Sequence, residues 1–376
     1  MIINDPSILK EMMEDMKKAP EIYKPGNFWM FYVEKIAREL EKKDLNQFRN
    51  WICGPGSILS FGGGRDLHGM KYGSNVHPFS DAFKKFDKSF FVKYYNSFIN
   101  KLAKFIPILG IFSFRSSIAR NYFEDNLKSQ QKSAWFISKL HDENNILDSI
   151  EDSKEGNPYG FINKNKFYTV SFLEEMMQIF FMEKYVKLKD LNVVLEIGAG
   201  IGLKASTFLK INPKITYIII DIPPALYVSQ QYLISQNYKV FTYNDAKKIK
   251  SLKEINFNDF NVICLAPWMI DLIYKDSIDL FINVFSFQEM EPWLVKNYLD
   301  KALKFTKKHI YLLNLKKGHF ITEKKGQHGV LKQTLKEDYI EFLSGNFELK
   351  SDRDYTNIFG VDSDSNEMFF NKLNLK

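Results

Sequence analysis

The residues Val193–Gly202 constrain the fold more than any other stretch of this chain, because an apolar run there ends in three glycines spaced two residues apart. The run Val193–Ile197 predicts a buried strand of a parallel sheet, since such strands are covered on both faces. The glycines permit a sharp turn and a close approach of the backbone to a ligand. Residues Leu203–Leu209 then predict a helix, with the ligand at its N-terminus.

The glycine spacing separates two kinds of nucleotide site. The dinucleotide fingerprint needs a third glycine five residues after the first, where this chain has Leu203. The third glycine is instead Gly202, and Glu196 stands two residues before the first. A second predicted strand, Thr216–Ile220, is followed by Asp221. A carboxylate in that position can accept both hydroxyls of a ribose, as an adenosine-containing cofactor requires.

The pattern E-x-G-x-G-x-G looks like the first motif of class I S-adenosylmethionine-dependent methyltransferases. With Gly156-Asn157-Pro158, Asp221-Ile222-Pro223-Pro224 and Ser286-Phe287-Gln288-Glu289-Met290 also present, the chain resembles a family of bacterial sugar O-methyltransferases over about residues 156–314. The resemblance implies S-adenosylmethionine as cofactor, S-adenosylhomocysteine as product and a sugar hydroxyl as acceptor. A role in surface-glycan or nucleotide-sugar metabolism is implied in the same way.

Strands alternate with helices from about residue 156 onward, which predicts an α/β Rossmann-like domain with a mostly parallel sheet and helices on both faces. Residues 1–155 have mainly helical periodicity and predict a separate domain for acceptor binding, oligomerisation or closure. A polar, turn-rich stretch over 151–158 places the boundary between domains 1–155 and 156–376.

The predicted cofactor site gathers residues that follow the carboxyl ends of the predicted strands. They are Glu196, Gly198, Ala199, Gly200, Gly202, Asp221, Ile222, Asn244, Asp245, Ser286 and Phe287. Asn244 and Asp245 are included because the strand that precedes them, Lys239–Tyr243, is expected to lie beside the first two.

A sugar hydroxyl is a poor nucleophile, so a general base is expected near the methyl donor. His319, Glu289 and His328 are the candidates, because they follow the fourth and fifth strands of the predicted domain. Histidine titrates closest to neutral pH, which favours His319. No carboxylate cluster indicates a metal ligand set, and metal dependence is left open.

Composition restricts the other partners. The net charge is +7, and nine lysines but one acidic residue, Glu323, occur between Lys301 and Lys332. This bias suggests either a phosphate-bearing acceptor or a solvated face, without any nucleic-acid module. No apolar run reaches the ~20 residues of a membrane span. Cys53 and Cys264 form no metal or disulfide pattern, so a cytoplasmic protein is expected. A homo-oligomer is one alternative for its oligomeric state.

Several alternatives remain open at this level. A glycine-dense stretch over residues 53–69, containing Arg65, Asp66 and His68, predicts either a mobile lid or an ordinary surface loop, and His77 is equally ambiguous. The acceptor is alternatively a non-sugar small molecule. A nicotinamide-dependent sugar-nucleotide oxidoreductase or epimerase and a non-catalytic cofactor-binding scaffold are the competing functions.

Overall fold

The computed structural model describes residues 1–42, 45–50, 131–158, 160–358 and 362–373. The predicted glycine-dense loop, with Arg65, Asp66 and His68, lies outside these ranges, as do His77 and much of the predicted helical domain 1–155.

Helices and strands alternate through most of the described chain and are numbered here in chain order. The helices are α1 Pro6–Lys18, α2 Asn27–Met30, α3 Val33–Leu40, α4 131–141, α5 Val170–Glu183, α6 Leu203–Ile211, α7 Pro223–Ser235, α8 Tyr243–Ala246, α9 Pro292–Phe305 and α10 Lys336–Leu343. The strands are β1 Phe161–Asn163, β2 Lys166–Tyr168, β3 Val193–Ile197, β4 Thr216–Ile220, β5 Val240–Phe241, β6 Val262–Leu265, β7 Ile278–Val284, β8 Thr306–Leu315, β9 Phe347–Thr356 and β10 Asp362–Lys372.

Eight strands form one sheet in the order β5-β6-β4-β3-β7-β8-β10-β9. The six strands from β5 to β8 are parallel, whereas β10 is antiparallel to both β8 and β9. Crossovers between parallel strands are right-handed almost without exception, so α6 and α7 cover one face of the sheet and α9 covers the other. The predicted mostly parallel sheet with helices on both faces is confirmed.

Burial explains the strand sequences. Every residue of β3, β4 and β6 is buried, as their mainly apolar sequences predict for central parallel strands. Asp279 is a buried charged residue near the start of β7, at the end of the strands opposite the site. It accepts hydrogen bonds from the backbone N–H groups of Asn192 and Val193 at 2.9 and 3.0 Å. These two bonds join the start of β3 to β7.

The order of the strands corrects one sequence expectation. The strand predicted over Lys239–Tyr243 is shorter, β5, and forms the edge of the sheet. The strand beside β4 is β6 instead. The prediction took β5 as the neighbour of β4 because it is the next strand along the chain. Pairing between strands does not have to follow their order in the chain.

Two helical stretches differ from what their apolar periodicity favours. Residues Phe28–Leu40 have the periodicity of one helix but are divided into α2 and α3. Residues Phe167–Val186 favour one long helix, but the helix begins only at Val170, because the preceding residues pair in the β1–β2 hairpin. The Thr169 hydroxyl accepts a hydrogen bond from Phe172 N–H at 3.0 Å and caps this later start.

The described N-terminal helices pack directly on the α/β part. Helix α1 lies against α7, and the N–H of Asp5 donates to the Tyr227 hydroxyl oxygen at 2.8 Å. The buried guanidinium of Arg49 pairs with buried Asp152 at 2.7 Å. These contacts give the N-terminal helices and the sheet a common core, while the domain boundary at 155/156 stays a prediction. None of the helices in the described ranges is long and apolar enough to span a bilayer.

Candidate functional site

A cavity of about 250 Å³ lies at the carboxyl ends of β3, β4, β6 and β7. The chain leaves β3 toward β4 on one side and returns as β7 on the other, so the strand order reverses at β3. In open α/β sheets, ligands bind at this reversal, outside the carboxyl ends of the strands. The predicted cofactor residues that line the cavity are Glu196, Gly198, Ala199, Gly200, Asp221, Ile222 and Ser286.

The glycine turn takes a backbone conformation that other residues rarely adopt. Gly198, Gly200 and Gly202 have φ angles of 77°, 57° and 78°. A Cβ on Gly198 would lie 2.1 Å from the Ser286 Oγ, so this glycine also makes room for the loop after β7. Gly202 does not line the cavity; it precedes α6 and packs against Leu233. The three glycines therefore have different structural roles.

Asp221 lies at the end of β4 and is fixed by the backbone around it. Its carboxylate accepts hydrogen bonds from Gly200 N–H at 2.8 Å and from Ile222 N–H at 2.7 Å. Burial raises the pKa of Asp221 to about 7, although both backbone donors act to lower it. The carboxyl group thus connects the glycine turn to the start of α7 and still faces the cavity.

Glu196 is the second carboxyl group at the cavity. It is buried within β3 and accepts a hydrogen bond from the Tyr217 hydroxyl at 2.8 Å. Burial raises its pKa to about 8, and the nearby ammonium of Lys204 acts in the opposite direction. Lys204 itself is paired with Glu175. The glycine side of the cavity is therefore lined by ionisable groups that already have protein partners.

A buried amide network fixes the loop after β7. The Asn283 amide donates to the Ile197 carbonyl at 2.9 Å and to the Ser286 hydroxyl at 2.6 Å. The Asn314 amide donates in turn to the Asn283 oxygen at 3.0 Å. These bonds join the ends of β3, β7 and β8 and orient Ser286 at the cavity. Phe287, the next predicted residue, is fully buried in the core instead.

Phe285 combines an unusual backbone with a place in the cavity wall. Its φ angle is 56°, in the left-handed region that is uncommon for a bulky residue. Its N–H donates to the Leu313 carbonyl at 2.7 Å, which holds this conformation against β8. Backbone strain of this kind is found mostly at functional sites, where surrounding structure maintains it.

The N-terminal region supplies part of the same cavity. Phe28 and Trp29 of α2 line it, and the Trp29 indole N–H donates to Glu289 Oε2 at 2.8 Å. Asn27 anchors α2, because its side-chain amide donates to the carbonyls of Gln327 and Gly329 at 2.9 and 2.8 Å. Glu289 is the catalytic candidate that lines the cavity.

His319 and His328 lie one ring away from the cavity. The Phe28 ring, which lines the cavity, is 4.5 Å from the His319 ring and 5.2 Å from the His328 ring, measured between centroids. Burial lowers the pKa of both histidines, and the neighbouring His328 lowers that of His319 further. Both rings are therefore neutral near pH 7, but Phe28 separates them from the cavity.

Asn244 and Asp245 do not line the cavity. They lie in α8, after the edge strand β5, where Asp245 accepts hydrogen bonds from the N–H and hydroxyl of Thr242 at 3.2 and 2.7 Å. Pro267, which follows β6, lines the cavity on that side. The placement follows from the exchange of β5 and β6 in the sheet.

The lysine-rich stretch Lys301–Lys332 is divided between the two ends of the parallel strands. Lys307 and Lys308 pair with Asp279 at the amino ends, opposite the cavity. Lys301 pairs with Asp271. The lysines from Lys316 onward follow the carboxyl end of β8, on the same side of the sheet as the cavity. In the ranges that the structure describes, no cluster of three histidine, cysteine, aspartate or glutamate side chains could hold a metal ion.

Sequence patterns gave no indication of several residues that line the cavity. They are Phe28, Trp29, Glu175, Lys204, Pro267, Phe285 and Tyr298. A correct pairing of β6 with β4 would have indicated Pro267. The others depend on tertiary packing or, for Phe285, on a backbone angle that its residue type does not predict.

The strand order, the strand directions and the helices on both faces define a Rossmann-like fold. No family model matches the sequence, and no curated protein matches it. Among solved structures, mitomycin 7-O-methyltransferase MmcR is similar at 12% identity and a TM-score of 0.36, covering 54% of this chain and 54% of that chain.

Two further structures match about half of this chain. An S-adenosylmethionine-dependent methyltransferase from Aquifex aeolicus has 14% identity and a TM-score of 0.35, covering 52% of this chain and 89% of its own. Magnesium protoporphyrin IX methyltransferase from Synechocystis PCC 6803 was solved with bound S-adenosylhomocysteine. It has 11% identity and a TM-score of 0.34, and the match covers 52% of this chain and 80% of that chain. The fold assignment rests on the topology described above.

Proposed function

We propose that this protein is an S-adenosylmethionine-dependent O-methyltransferase. The observation that carries the proposal is the cavity at the reversal of strand order, with the glycine turn on one side and Asp221 on the other. Asp221 would accept the ribose hydroxyls, and the backbone of Gly198–Gly200 would approach the rest of the cofactor closely. Glu196 and Ser286 would complete that side. Neither Asn244 nor Asp245 is included in the proposed site.

The cofactor supplies a methyl group already activated by its sulfonium. The protein therefore has to bring an acceptor oxygen into line with that carbon and take up one proton. A carbon–oxygen bond forms, the carbon–sulfur bond breaks, and S-adenosylhomocysteine leaves. We assign the proton acceptor to Glu289, because it lines the cavity whereas His319 and His328 lie behind Phe28. Trp29 orients this carboxylate.

The acceptor that we propose is a sugar hydroxyl in surface-glycan or nucleotide-sugar metabolism. This part of the proposal is supported by the resemblance of the motifs to sugar O-methyltransferases. A non-sugar hydroxyl compound is the second acceptor class. The cytoplasmic location and a homo-oligomeric state stay predictions from the sequence.

Two other functions make different predictions. A nicotinamide-dependent enzyme would require the third glycine at the position of Leu203, which instead begins α6 and is buried. A scaffold that binds the cofactor without chemistry would release no S-adenosylhomocysteine with any acceptor. An assay of methyl transfer therefore distinguishes a methyltransferase from both of these functions.

The experiment is a turnover assay that follows S-adenosylhomocysteine formation with nucleotide sugars, free sugars and phenols as acceptors. We expect acceptor-dependent turnover, and we expect Glu289→Gln to lower kcat about a hundredfold or more while leaving cofactor affinity unchanged. His319→Gln is the comparison and should have a smaller effect. Full activity in the Glu289 variant would refute its role, and no turnover with any acceptor would favour the scaffold.

A further inference from the structure

The surface next to the cavity carries an aromatic platform, defined here as Phe31, Phe320 and His328. The rings of Phe31 and His328 are stacked, with centroids 6.0 Å apart and planes at 25°. The Phe320 ring meets His328 edge-on at 4.6 Å. Phe31 and Phe320 are 45% and 49% exposed, although aromatic side chains of this size are usually buried. The platform therefore offers ring faces and edges to solvent.

The platform is held in a fixed place relative to the cavity. Phe28 contacts His328 on one side and lines the cavity on the other. Asn27 fixes α2 to the loop after β8, since its side-chain oxygen also accepts from Gly326 N–H at 2.6 Å. A ligand that covers the platform could therefore extend past Phe28 to Glu289.

The loop that carries Phe320 and His328 also carries exposed lysines. Lys317, Lys324 and Lys325 are exposed, and none forms an ion pair with a described residue. By contrast, Lys316 pairs with Asp354 at 2.8 Å. The exposed lysines belong to the same loop as Phe320 and His328. Exposed rings and cations on one loop, where Glu323 is the one acidic residue, are complementary to a ligand that joins an aromatic base to phosphate.

We infer that the aromatic platform and its lysines bind the nucleoside diphosphate part of a nucleoside diphosphate sugar. The base stacks on Phe320 beside His328 and Phe31, the phosphates meet Lys324 and Lys325, and the sugar reaches past Phe28 to Glu289. This inference rests on the proposed function and narrows its acceptor. It also explains why exposed rings and lysines occur together on the loop after β8.

The test is calorimetric titration of the protein, saturated with S-adenosylhomocysteine, with UDP, ADP, GDP and inorganic pyrophosphate. We expect at least one nucleoside diphosphate to bind more tightly than pyrophosphate. Phe320→Ala should weaken that binding about tenfold or more, the effect of losing one stacking contact. A double change of Lys324 and Lys325 to Gln should weaken nucleoside diphosphates and pyrophosphate alike and reduce the salt dependence.

The matched control changes Lys189 and Lys214 to Gln. These exposed lysines precede β3 and β4, at the amino ends of the strands and away from the cavity. This control should leave nucleoside diphosphate affinity unchanged. Equal weakening by both lysine pairs, binding no tighter than that of pyrophosphate, or unchanged affinity in Phe320→Ala would overturn the inference. Failure of S-adenosylhomocysteine to bind the unchanged protein would instead refute the proposed function on which it rests.

Discussion

Gly198 shows how one residue combines two structural demands. Its φ angle of 77° disfavours any side chain, and a Cβ there would also meet Ser286. We expect Gly198→Ala to lower cofactor affinity at least tenfold, because either the turn or the Ser286 loop must move. Calorimetry with S-adenosylhomocysteine measures this effect.

Gly345 provides the control for that substitution. Its φ angle is 81°, but a Cβ there has no neighbour within 4 Å. Gly345→Ala should therefore cost about 1 kcal/mol of stability from the backbone alone and leave cofactor affinity unchanged. Changing Ser286 to Gly in the Gly198→Ala protein should restore part of the binding. Equal cofactor affinity in the Gly198 and Gly345 variants would contradict the clash.

The two carboxyl groups at the cavity predict a pH dependence of stability. Burial raises the pKa of Asp221 to about 7 and that of Glu196 to about 8, whereas carboxyl groups in unfolded chains titrate near ~4. Between these limits the native protein holds more protons than the unfolded chain. The contribution of these groups to stability is therefore present at low pH and is lost as the pH rises toward 8.

Urea unfolding at pH 5 and pH 8 tests this sign. Asp221→Asn removes one of the titrating groups, so the variant should lose less stability over that interval than the unchanged protein. The difference should be on the order of 1 kcal/mol, since Asp221 is partly exposed to the cavity. An identical pH dependence in both proteins would show that Asp221 is already ionised at pH 5.

At the scale of elements, the segment Leu45–Asn50 is fastened to the α/β part by a buried ion pair. The side chains of Arg49 and Asp152 are both 0% exposed, and Asp152 also accepts from the Thr169 hydroxyl at 2.6 Å. Arg49→Met would leave the carboxylate buried without its cation. We expect a loss of about 3–5 kcal/mol in the free energy of unfolding, measured in urea.

The exposed pair Lys296–Asp300 on α9 is the matched control. Lys296→Met should change stability by no more than about 0.5 kcal/mol, because exposed pairs are screened by water and salt. A comparably small loss in Arg49→Met would mean that Leu45–Asn50 contributes little to holding the N-terminal helices on the sheet.

The sequence predicted the positions of the strands better than it predicted which strands pair with each other. Apolar runs placed β3 and β4 correctly, because these central parallel strands are buried over their whole length. The same runs carry no information on which strand lies beside which, so β5 was expected where β6 is found. Asn244 and Asp245 were included in the predicted site for that reason, whereas Pro267 was not.

At the scale of the whole molecule, the candidate site joins parts of the chain that are far apart in sequence. The glycine turn and Asp221 could be predicted because backbone conformation and strand ends leave local signals. Phe28 and Trp29 reach the cavity only through the docking of α2 on the loop after β8, which no local pattern encodes. The glycine side of the cavity could therefore be predicted from the sequence, whereas on the acceptor side the sequence indicated Glu289 but not the aromatic residues around it.

The measurement that tests the central claim most directly is titration of the protein with S-adenosylmethionine, S-adenosylhomocysteine and NAD. Asp221→Ala is compared with Asp245→Ala, a carboxylate that also follows a strand but lies away from the cavity. We predict that both sulfur nucleotides bind, that NAD does not, and that only the Asp221 change weakens binding. Binding of NAD alone, or weakening by Asp245→Ala and not by Asp221→Ala, would contradict a methyltransferase site at the end of β3.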